Sequence, residues 1–133
     1  MSALEFADTN IVVYAVGKDS TQRTKARAIL AGGISVSTQV INETVNVLSR
    51  KQGASLTVAH HIAESLLELC HIIPVDESSI REAIRLTRRY QLSHWDSLIV
   101  AAALLAGCQT LFSQDMQNGQ LFDGQLKVVN PFV

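Results

Sequence analysis

The chain has few of the residue types on which cysteine or zinc chemistry depends. Its 133 residues include two cysteines and four histidines. Cys70 and Cys108 adjoin apolar segments and belong to no CxxC motif, so we expect reduced, buried thiols rather than a disulfide or a metal site. Two histidines are adjacent and the other two stand alone, which is not the spacing of zinc ligands. A bound metal would therefore need oxygen ligands.

Long apolar runs are also lacking. The longest, Leu98 to Cys108, is far shorter than the roughly 20 residues that span a bilayer. Near the N-terminus, Glu5 and Asp8 lie where a secretory signal peptide needs a basic segment and then an uninterrupted apolar one. We therefore expect a cytoplasmic protein that does not enter the membrane.

An excess of positive charge is missing as well. With 11 Lys and Arg against 12 Asp and Glu, the formal net charge is −1. This argues against a nucleic-acid binder whose affinity rests on a broadly basic surface. Positive charge is present locally, because Arg81, Arg85, Arg88 and Arg89 fall within a broad arc of one predicted helix. These arginines either contact an RNA backbone or a partner protein, or form an ordinary solvated helix face.

The apolar content is sufficient for one folded domain. Hydrophobic residues make up 47% of the chain and charged residues 17%, with a mean hydropathy of +0.20. A domain near this size buries roughly 68% of the surface that its unfolded chain exposes. We expect a single domain over residues 1–133.

Short apolar runs alternate with helical patterns along the chain. Runs of strand length occur at Leu4–Ala7, Ile34–Ser37, His71–Val75, Thr110–Ser113 and Leu126–Asn130. Helical spacing of apolar residues predicts helices over Thr21–Leu30, Thr38–Arg50, Thr57–Leu69 and Ser93–Ala106. Strands separated by helices imply right-handed crossovers and a mainly parallel sheet covered on both faces. We predict a three-layer α/β/α fold with about five strands.

A further helix is predicted after the third strand. Ser79-Ile-Arg-Glu82 has the spacing of a capping box. The helix is therefore expected to open there, with Ile80, Ala83, Ile84 and Thr87 on its inner face.

Four acidic residues lie where such a fold gathers an active site. Asp8 closes the first strand run, Asp115 follows the fourth, and Glu43 and Asp96 lie near helix starts. In open α/β sheets ligands bind beyond the carboxyl ends of the strands. Because like charges about 5 Å apart repel by roughly 3 kcal/mol per pair at an effective dielectric of about 20, four converging carboxyl groups indicate a cage for a divalent cation.

Each acid also has an ordinary structural interpretation. Asp8 suits the N-cap of a short helix, and Ser93 to Asp96 has the spacing of a second capping box. Glu43 is an unremarkable residue within an amphipathic helix, and Asp115 suits a turn or an N-cap. The joint position of the four, rather than any single residue, favours the metal site.

The set resembles the PIN-domain ribonucleases, and more narrowly the VapC-type toxins of bacterial toxin–antitoxin pairs. The resemblance covers essentially the whole chain. It rests on Asp8-Thr-Asn10 after the first strand, Asn42-Glu43 in the helix after the second, His94-Trp-Asp-Ser-Leu-Ile-Val-Ala-Ala-Ala103, and Thr110-Leu-Phe-Ser-Gln-Asp115. The third segment is the most specific.

The resemblance implies roles for these residues. Asp8, Glu43 and Asp96 would be the core metal-binding acids, and Asp115 the fourth and more variable one. The supporting polar groups would be Thr9, Asn10 and Ser113. Members of this family hold Mg²⁺ or Mn²⁺ and cut RNA, leaving a 3′-hydroxyl and a 5′-phosphate. The resemblance also implies a homodimer and a small antitoxin whose tail covers the acidic rim.

Two functions of different classes follow. The first is a metal-dependent endoribonuclease in which the four acids bind metal and help to orient the attacking water. The second is a PIN-like module that binds RNA or protein without cutting, the acids being caps. A phosphoacceptor receiver domain needs a strand-end lysine that no predicted strand has. A haloacid-dehalogenase-type phosphatase needs an aspartate where the chain has Asn10.

Overall fold

The computed structural model describes residues 5–133 as a sheet covered by helices. The strands are β1 (Glu5–Ala7), β2 (Ser35–Ser37), β3 (His71–Ile73), β4 (Thr110–Phe112), β5 (Leu121–Phe122) and β6 (Leu126–Val129). The helices are α1 (Thr9–Ala15), α2 (Ser20–Leu30), α3 (Thr38–Arg50), α4 (Leu56–Leu69), α5 (Glu77–Tyr90) and α6 (His94–Leu105). The predicted α/β fold class is confirmed. The start of the first predicted strand, Leu4, lies outside the described residues.

The sheet has the strand order β3-β2-β1-β4-β6-β5. Neighbouring strands are parallel except for β5, which pairs antiparallel with β6. From β1 the chain first builds outward through β2 and β3, and then returns to place β4 on the other side of β1. The strand order therefore reverses beside β1, and α/β folds bind their ligands at such a reversal.

The core lies on both faces of the central strands. Phe6, Val36, Leu111 and Val128 come from four adjacent strands and are all fully buried. Helix α6 is apolar on most sides, and every residue from Ser97 to Ala103 is buried. The helix predicted over Ser93–Ala106 is thus confirmed, and it lies in the core. A continuously apolar helix is what a layer between a sheet and another helix requires.

Strand β5 was missed by the sequence pattern, so the sheet has six strands rather than five. Two residues are too few to show an alternating pattern. The strand is defined by its turn, in which Asp123 and Gly124 both have positive φ angles (52° and 65°) and the Gln125 N–H donates to the Phe122 carbonyl oxygen (2.9 Å). Asp-Gly is a preferred sequence for such two-residue hairpin turns.

Helix α5 begins earlier than predicted. Its capping box joins Asp76 and Ser79: the Ser79 N–H donates to the Asp76 carboxylate (3.1 Å), and the Asp76 N–H donates to Ser79 Oγ (2.7 Å). Ser79 is therefore the third residue of the helix rather than its cap. The predicted box over Ser79–Glu82 is wrong because the box that forms lies three residues upstream, between Asp76 and Ser79.

The predicted inner face of α5 is also partly wrong. Ala83 and Leu86 are fully buried, and α5 packs against α6, but Ile80 and Ile84 are more than 40% exposed. One residue step turns a side chain by about 100° around a helix. The buried stripe through Ala83 therefore leaves the two isoleucines on the flank of the helix.

Both cysteines are free, Cys108 buried and Cys70 half-buried. Across residues 5–133, no helix is both long enough and apolar enough to span a membrane.

We expect Leu111→Ala to lower the free energy of unfolding by about 2–5 kcal/mol, because it leaves a cavity under the central strand. Leu121→Ala is the matched control, since Leu121 is a strand residue that is 51% exposed. It should change stability by less than about 1 kcal/mol. Urea denaturation of both variants checks this. Equal losses would contradict the described position of β4 in the core.

Candidate active site

The four predicted acids line one open cavity of about 520 Å³. Three follow directly from the strand arrangement: Asp8 follows β1, Glu43 lies in the helix after β2, and Asp115 lies beyond β4. Asp96 comes from the first turn of α6. The cavity wall also includes Thr9, Asn10, Val13, Tyr14, Gln39, Asn46, Val47, Lys51, Gln52, Trp95, Ile99 and Gln114. The expected convergence at the carboxyl ends of the strands is therefore present.

Asp8 is the most buried of these acids, with 5% of its surface exposed. One carboxylate oxygen accepts from the Thr9 N–H (2.7 Å) and the other from Ser113 Oγ (2.8 Å). Burial raises the pKa of Asp8 from its ordinary 3.8 to about 6; the two hydrogen bonds oppose this rise, and the charges of Asp115 and Glu43 add to it. Asp8 is the N-cap of α1 and also lines the cavity. Its capping role therefore does not exclude a place in the cavity.

Glu43 is fixed by two side-chain donors. Thr9 Oγ1 donates to Glu43 Oε1 (2.8 Å), and Gln39 Nε2 donates to Glu43 Oε2 (3.2 Å). Thr9 therefore contacts both Asp8, through its backbone, and Glu43, through its hydroxyl. This residue couples the end of β1 to helix α3.

Asp96 lies in the first turn of α6, whose N-cap is Ser93. Its N–H donates to Ser93 Oγ (3.1 Å), whereas its side chain lies on the cavity wall. Burial, and then the negative charge of Asp115, raises the pKa of Asp96, and Glu43 adds to the rise. The electrostatic coupling shows that carboxyl groups from three distant segments act on one another.

Asp115 is held by the first turn of α1. Asn10 Nδ2 donates to Asp115 Oδ2 (3.1 Å), the Asp115 N–H donates to Ser113 Oγ (3.2 Å), and the Gln114 N–H donates to Asn10 Oδ1 (3.1 Å). The three polar residues singled out from the sequence, Thr9, Asn10 and Ser113, thus each contact at least one of the acids.

The cavity has the donor chemistry of a site for a hard divalent cation. Its described lining includes carboxylate, amide and hydroxyl oxygens and neither histidine nor cysteine. Burial, with repulsion between the acids as a smaller cause, raises the pKa values of Asp8 and Asp96, and a bound cation would favour their ionised forms. Within residues 5–133, however, no three acidic, histidine or cysteine side chains form a closed metal cage.

A sequence model of the PIN domain matches residues 6–117. The chain belongs to the PIN domain family. The matched span includes all four acids and the strand reversal beside β1. No curated protein matches the sequence closely enough to count as a relative.

Solved structures share the whole fold of this PIN domain. VapC20 of Mycobacterium tuberculosis, a toxin that cleaves the sarcin–ricin loop, has a TM-score of 0.70 at 19% identity, over 84% of this chain and 89% of that one. A toxin–antitoxin complex from Klebsiella pneumoniae gives 0.71 at 20% identity, over 98% of both chains. FitAcB of Neisseria gonorrhoeae gives 0.72 at 19% identity, over 96% and 98%. At these identities the likeness shows a common fold.

The four arginines considered from the sequence lie away from the described lining of the PIN-domain cavity. Arg81 pairs with Glu77 (2.9 Å), and Arg85 pairs with Glu82 and Asp123. The guanidinium of Arg89 lies 5.3 Å from the ring centre of Tyr90. The cation that does line the cavity is Lys51, which the sequence pattern gave no reason to select.

Gln39 was also missed, although its position held a signal. It precedes Glu43 by four residues, which places the two side chains next to each other on a helix. Its Nε2 group also donates to the Trp95 carbonyl oxygen (3.1 Å) and so joins α3 to α6. Gln39 Oε1 is buried without a hydrogen-bond partner among the described residues.

We expect Asp8→Asn to stabilise the metal-free protein at pH 7.5 by at most about 3 kcal/mol, the equivalent of the pKa shift from 3.8 to about 6. The asparagine keeps an acceptor for the Thr9 N–H but carries no buried charge. Because the folded state binds the Asp8 proton more tightly than the unfolded state, wild-type stability from this group is present below about pH 4 and lost as the pH rises to about 6.

The difference between variant and wild type should therefore shrink toward pH 4. Denaturation with chelator present at pH 4.5 and 7.5 measures it. Asp19→Asn is the control, since Asp19 caps α2 outside the cavity and asparagine caps equally well. A difference that is the same at both pH values would refute a buried, ionised Asp8.

Proposed function

We propose that this PIN domain is a metal-dependent endoribonuclease, the toxin of a toxin–antitoxin pair. The observation that carries the proposal is the convergence of Asp8, Glu43, Asp96 and Asp115 on one cavity beside the strand reversal. The fold is also shared with several toxins, among them a ribosomal-RNA-cleaving one. We assign metal binding to the four acids, with Mg²⁺ or Mn²⁺ as the ion.

The chemistry needs positive charge next to an anionic phosphodiester. When bound, a divalent cation neutralises phosphate charge and lowers the pKa of a coordinated water. Hydrolysis to a 3′-hydroxyl and a 5′-phosphate requires water to attack phosphorus while the 3′ oxygen leaves and takes up a proton. An ionised carboxylate in the cavity accepts a hydrogen bond from the attacking water and orients it. Lys51, on the cavity wall, adds a positive charge for the RNA backbone.

The polar network keeps the acids ready for this task. Thr9 and Ser113 hold the two oxygens of Asp8, and Thr9 and Gln39 hold those of Glu43. Fixed carboxyl groups lose little conformational freedom when they bind an ion or a water molecule. In this proposal Thr9, Asn10 and Ser113 are positioning residues.

The toxin assignment includes two partners. Structures of toxins with this fold have been determined together with antitoxins or as toxin–antitoxin complexes. We propose a small antitoxin whose tail covers the acidic rim, where carboxylates and metal would otherwise meet RNA. We also propose a homodimer, as the family resemblance implies.

The purified chain should cut an end-labelled mixed RNA pool in Mg²⁺ or Mn²⁺, and chelator should abolish the products. Asp8→Asn should lower cleavage by at least about 100-fold, since it removes a charged group that acts directly in the reaction. Asp19→Asn should cleave like wild type, because the same substitution is made outside the cavity. Gel analysis of the products also reports their end groups.

The result that would overturn the nuclease assignment is a folded, partner-free wild type that binds RNA and forms no product in either metal. The chain would then be a PIN-like binding module.

A second prediction concerns the metal itself. Mn²⁺ should raise the melting temperature of wild type by several degrees, because a ligand at 100 times its Kd stabilises the folded state by about 2.7 kcal/mol. Asp96→Asn should be at least as stable as wild type without metal, since Asp96 repels Asp115 and Glu43, and it should lose most of the Mn²⁺ response. Asp19→Asn should keep the response. Thermal denaturation with and without Mn²⁺ measures these changes in melting temperature. If Mn²⁺ raises the melting temperature of Asp96→Asn as much as that of wild type, Asp96 does not bind the metal.

A further inference from the structure

Trp95 is a large aromatic side chain placed at the edge of the acidic cavity. It is 63% exposed and immediately precedes Asp96 in the first turn of α6. Its carbonyl oxygen accepts from Gln39 Nε2 (3.1 Å), and its ring packs edge-on against His94, with ring centres 5.4 Å apart. The backbone of Trp95 is thus held by Gln39, and its ring contacts His94, while most of the side chain is exposed to solvent.

A second groove opens on the other side of Trp95. Its volume is about 470 Å³, and it shares Gln39, Glu43, Asn46 and Trp95 with the acidic cavity. The two concavities are therefore continuous along helix α3. The remaining lining residues of the groove are Thr38, Asn42, Val75 and Leu98.

The groove has a different chemistry from the cavity. Trp95, Val75 and Leu98 give it apolar walls, and Asn42 and Asn46, four residues apart on α3, place two exposed carboxamides along one side. Glu43, at the boundary, is the one charged residue among the described lining residues. Uncharged amides next to an aromatic face match a flat heterocycle with donors and acceptors on its edge, and the described lining offers a phosphate no positive charge.

We propose that this groove is a nucleobase subsite for single-stranded RNA. Trp95 stacks on a base next to the phosphate held at the acidic cavity, and the Asn42 and Asn46 carboxamides contact the edge of that base. The proposal rests on the proposed ribonuclease function for the identity of the strand. It names Trp95 as a residue that contributes affinity for RNA, and the two asparagines as residues that select among RNA sequences.

The proposal fits the modest charge of the chain. A net charge of −1 gives little general attraction for a polyanion. Base stacking on an aromatic side chain contributes affinity that does not depend on net charge. One base stacked on Trp95 would also fix the register of the strand across the cavity.

Trp95 is the single tryptophan of the sequence, so its fluorescence reports directly on stacking. The Asp8→Asn variant, in Mg²⁺, is titrated with a short single-stranded RNA and with the same strand carrying abasic riboses. The base-containing strand should quench the emission at a concentration roughly tenfold to a hundredfold lower than the abasic strand. Equal quenching by the two strands would overturn the subsite.

Cleavage kinetics give the second arm. Trp95→Ala should raise KM roughly tenfold to a hundredfold with a smaller change in kcat, and Trp95→Phe should recover most of the loss because it keeps an aromatic face. Asn42→Ala should change the relative cleavage of different RNA sequences. Leu105→Ala is the control, since Leu105 is 54% exposed at the far end of the same helix; its KM should be that of wild type.

The competing occupant is a second copy of this chain. If sedimentation shows that Trp95→Ala converts a dimer to a monomer while KM stays unchanged, Trp95 belongs to a dimer interface and the subsite is wrong. If wild type cuts no RNA, the ribonuclease function fails. The fluorescence comparison then still decides whether the groove binds bases.

Discussion

The structure depends on how one buried carboxyl group is accommodated. Asp8 sits where β1 ends between β2 and β4, and its ionised form is costly there because little water reaches it. The Thr9 N–H and Ser113 Oγ compensate part of that cost. The same contacts fix the start of α1 and tie β1 to the segment after β4. Asp8 is therefore costly to ionise and at the same time holds neighbouring elements together.

The two residues that follow Asp8 in the sequence contact other residues of the cavity wall. Thr9 reaches Glu43 and Asn10 reaches Asp115, so two successive residues contact two separate parts of the cavity wall. Fully buried residues of the strands beneath them, among them Phe6 and Leu111, provide a packed base. Because α6 is packed into the core, its first turn holds Asp96 and Trp95 at a fixed height above the sheet. Packing far from the cavity thus determines which polar groups face it.

The fold and the convergence of the acids were accessible from the sequence because both follow from alternation and strand ends. Strand β5 was missed since its turn, not its two residues, defines it. The start of α5 was misplaced because its capping box forms three residues upstream of the predicted one, and its inner face was misplaced because the buried stripe runs through Ala83 and Leu86. The contact between Asn10 and Asp115 and the position of Lys51 depend on tertiary packing, which leaves no local pattern. Within residues 5–133 the converging acids do not form a group of three that could hold a metal ion. Their roles in metal binding remain predictions.

The pairing of β1 with β4 has a consequence for biosynthesis. The Ser113 hydroxyl that steadies Asp8 lies 105 positions further along the chain, and β4 completes the sheet beside β1. During translation, a growing polypeptide that already contains Asp8, Glu43 and Asp96 still lacks the strand that would unite them. The cavity therefore forms only after most of the chain has left the ribosome. Until β4 is synthesised, β1 has one of its two neighbouring strands and Asp8 lacks the Ser113 hydroxyl.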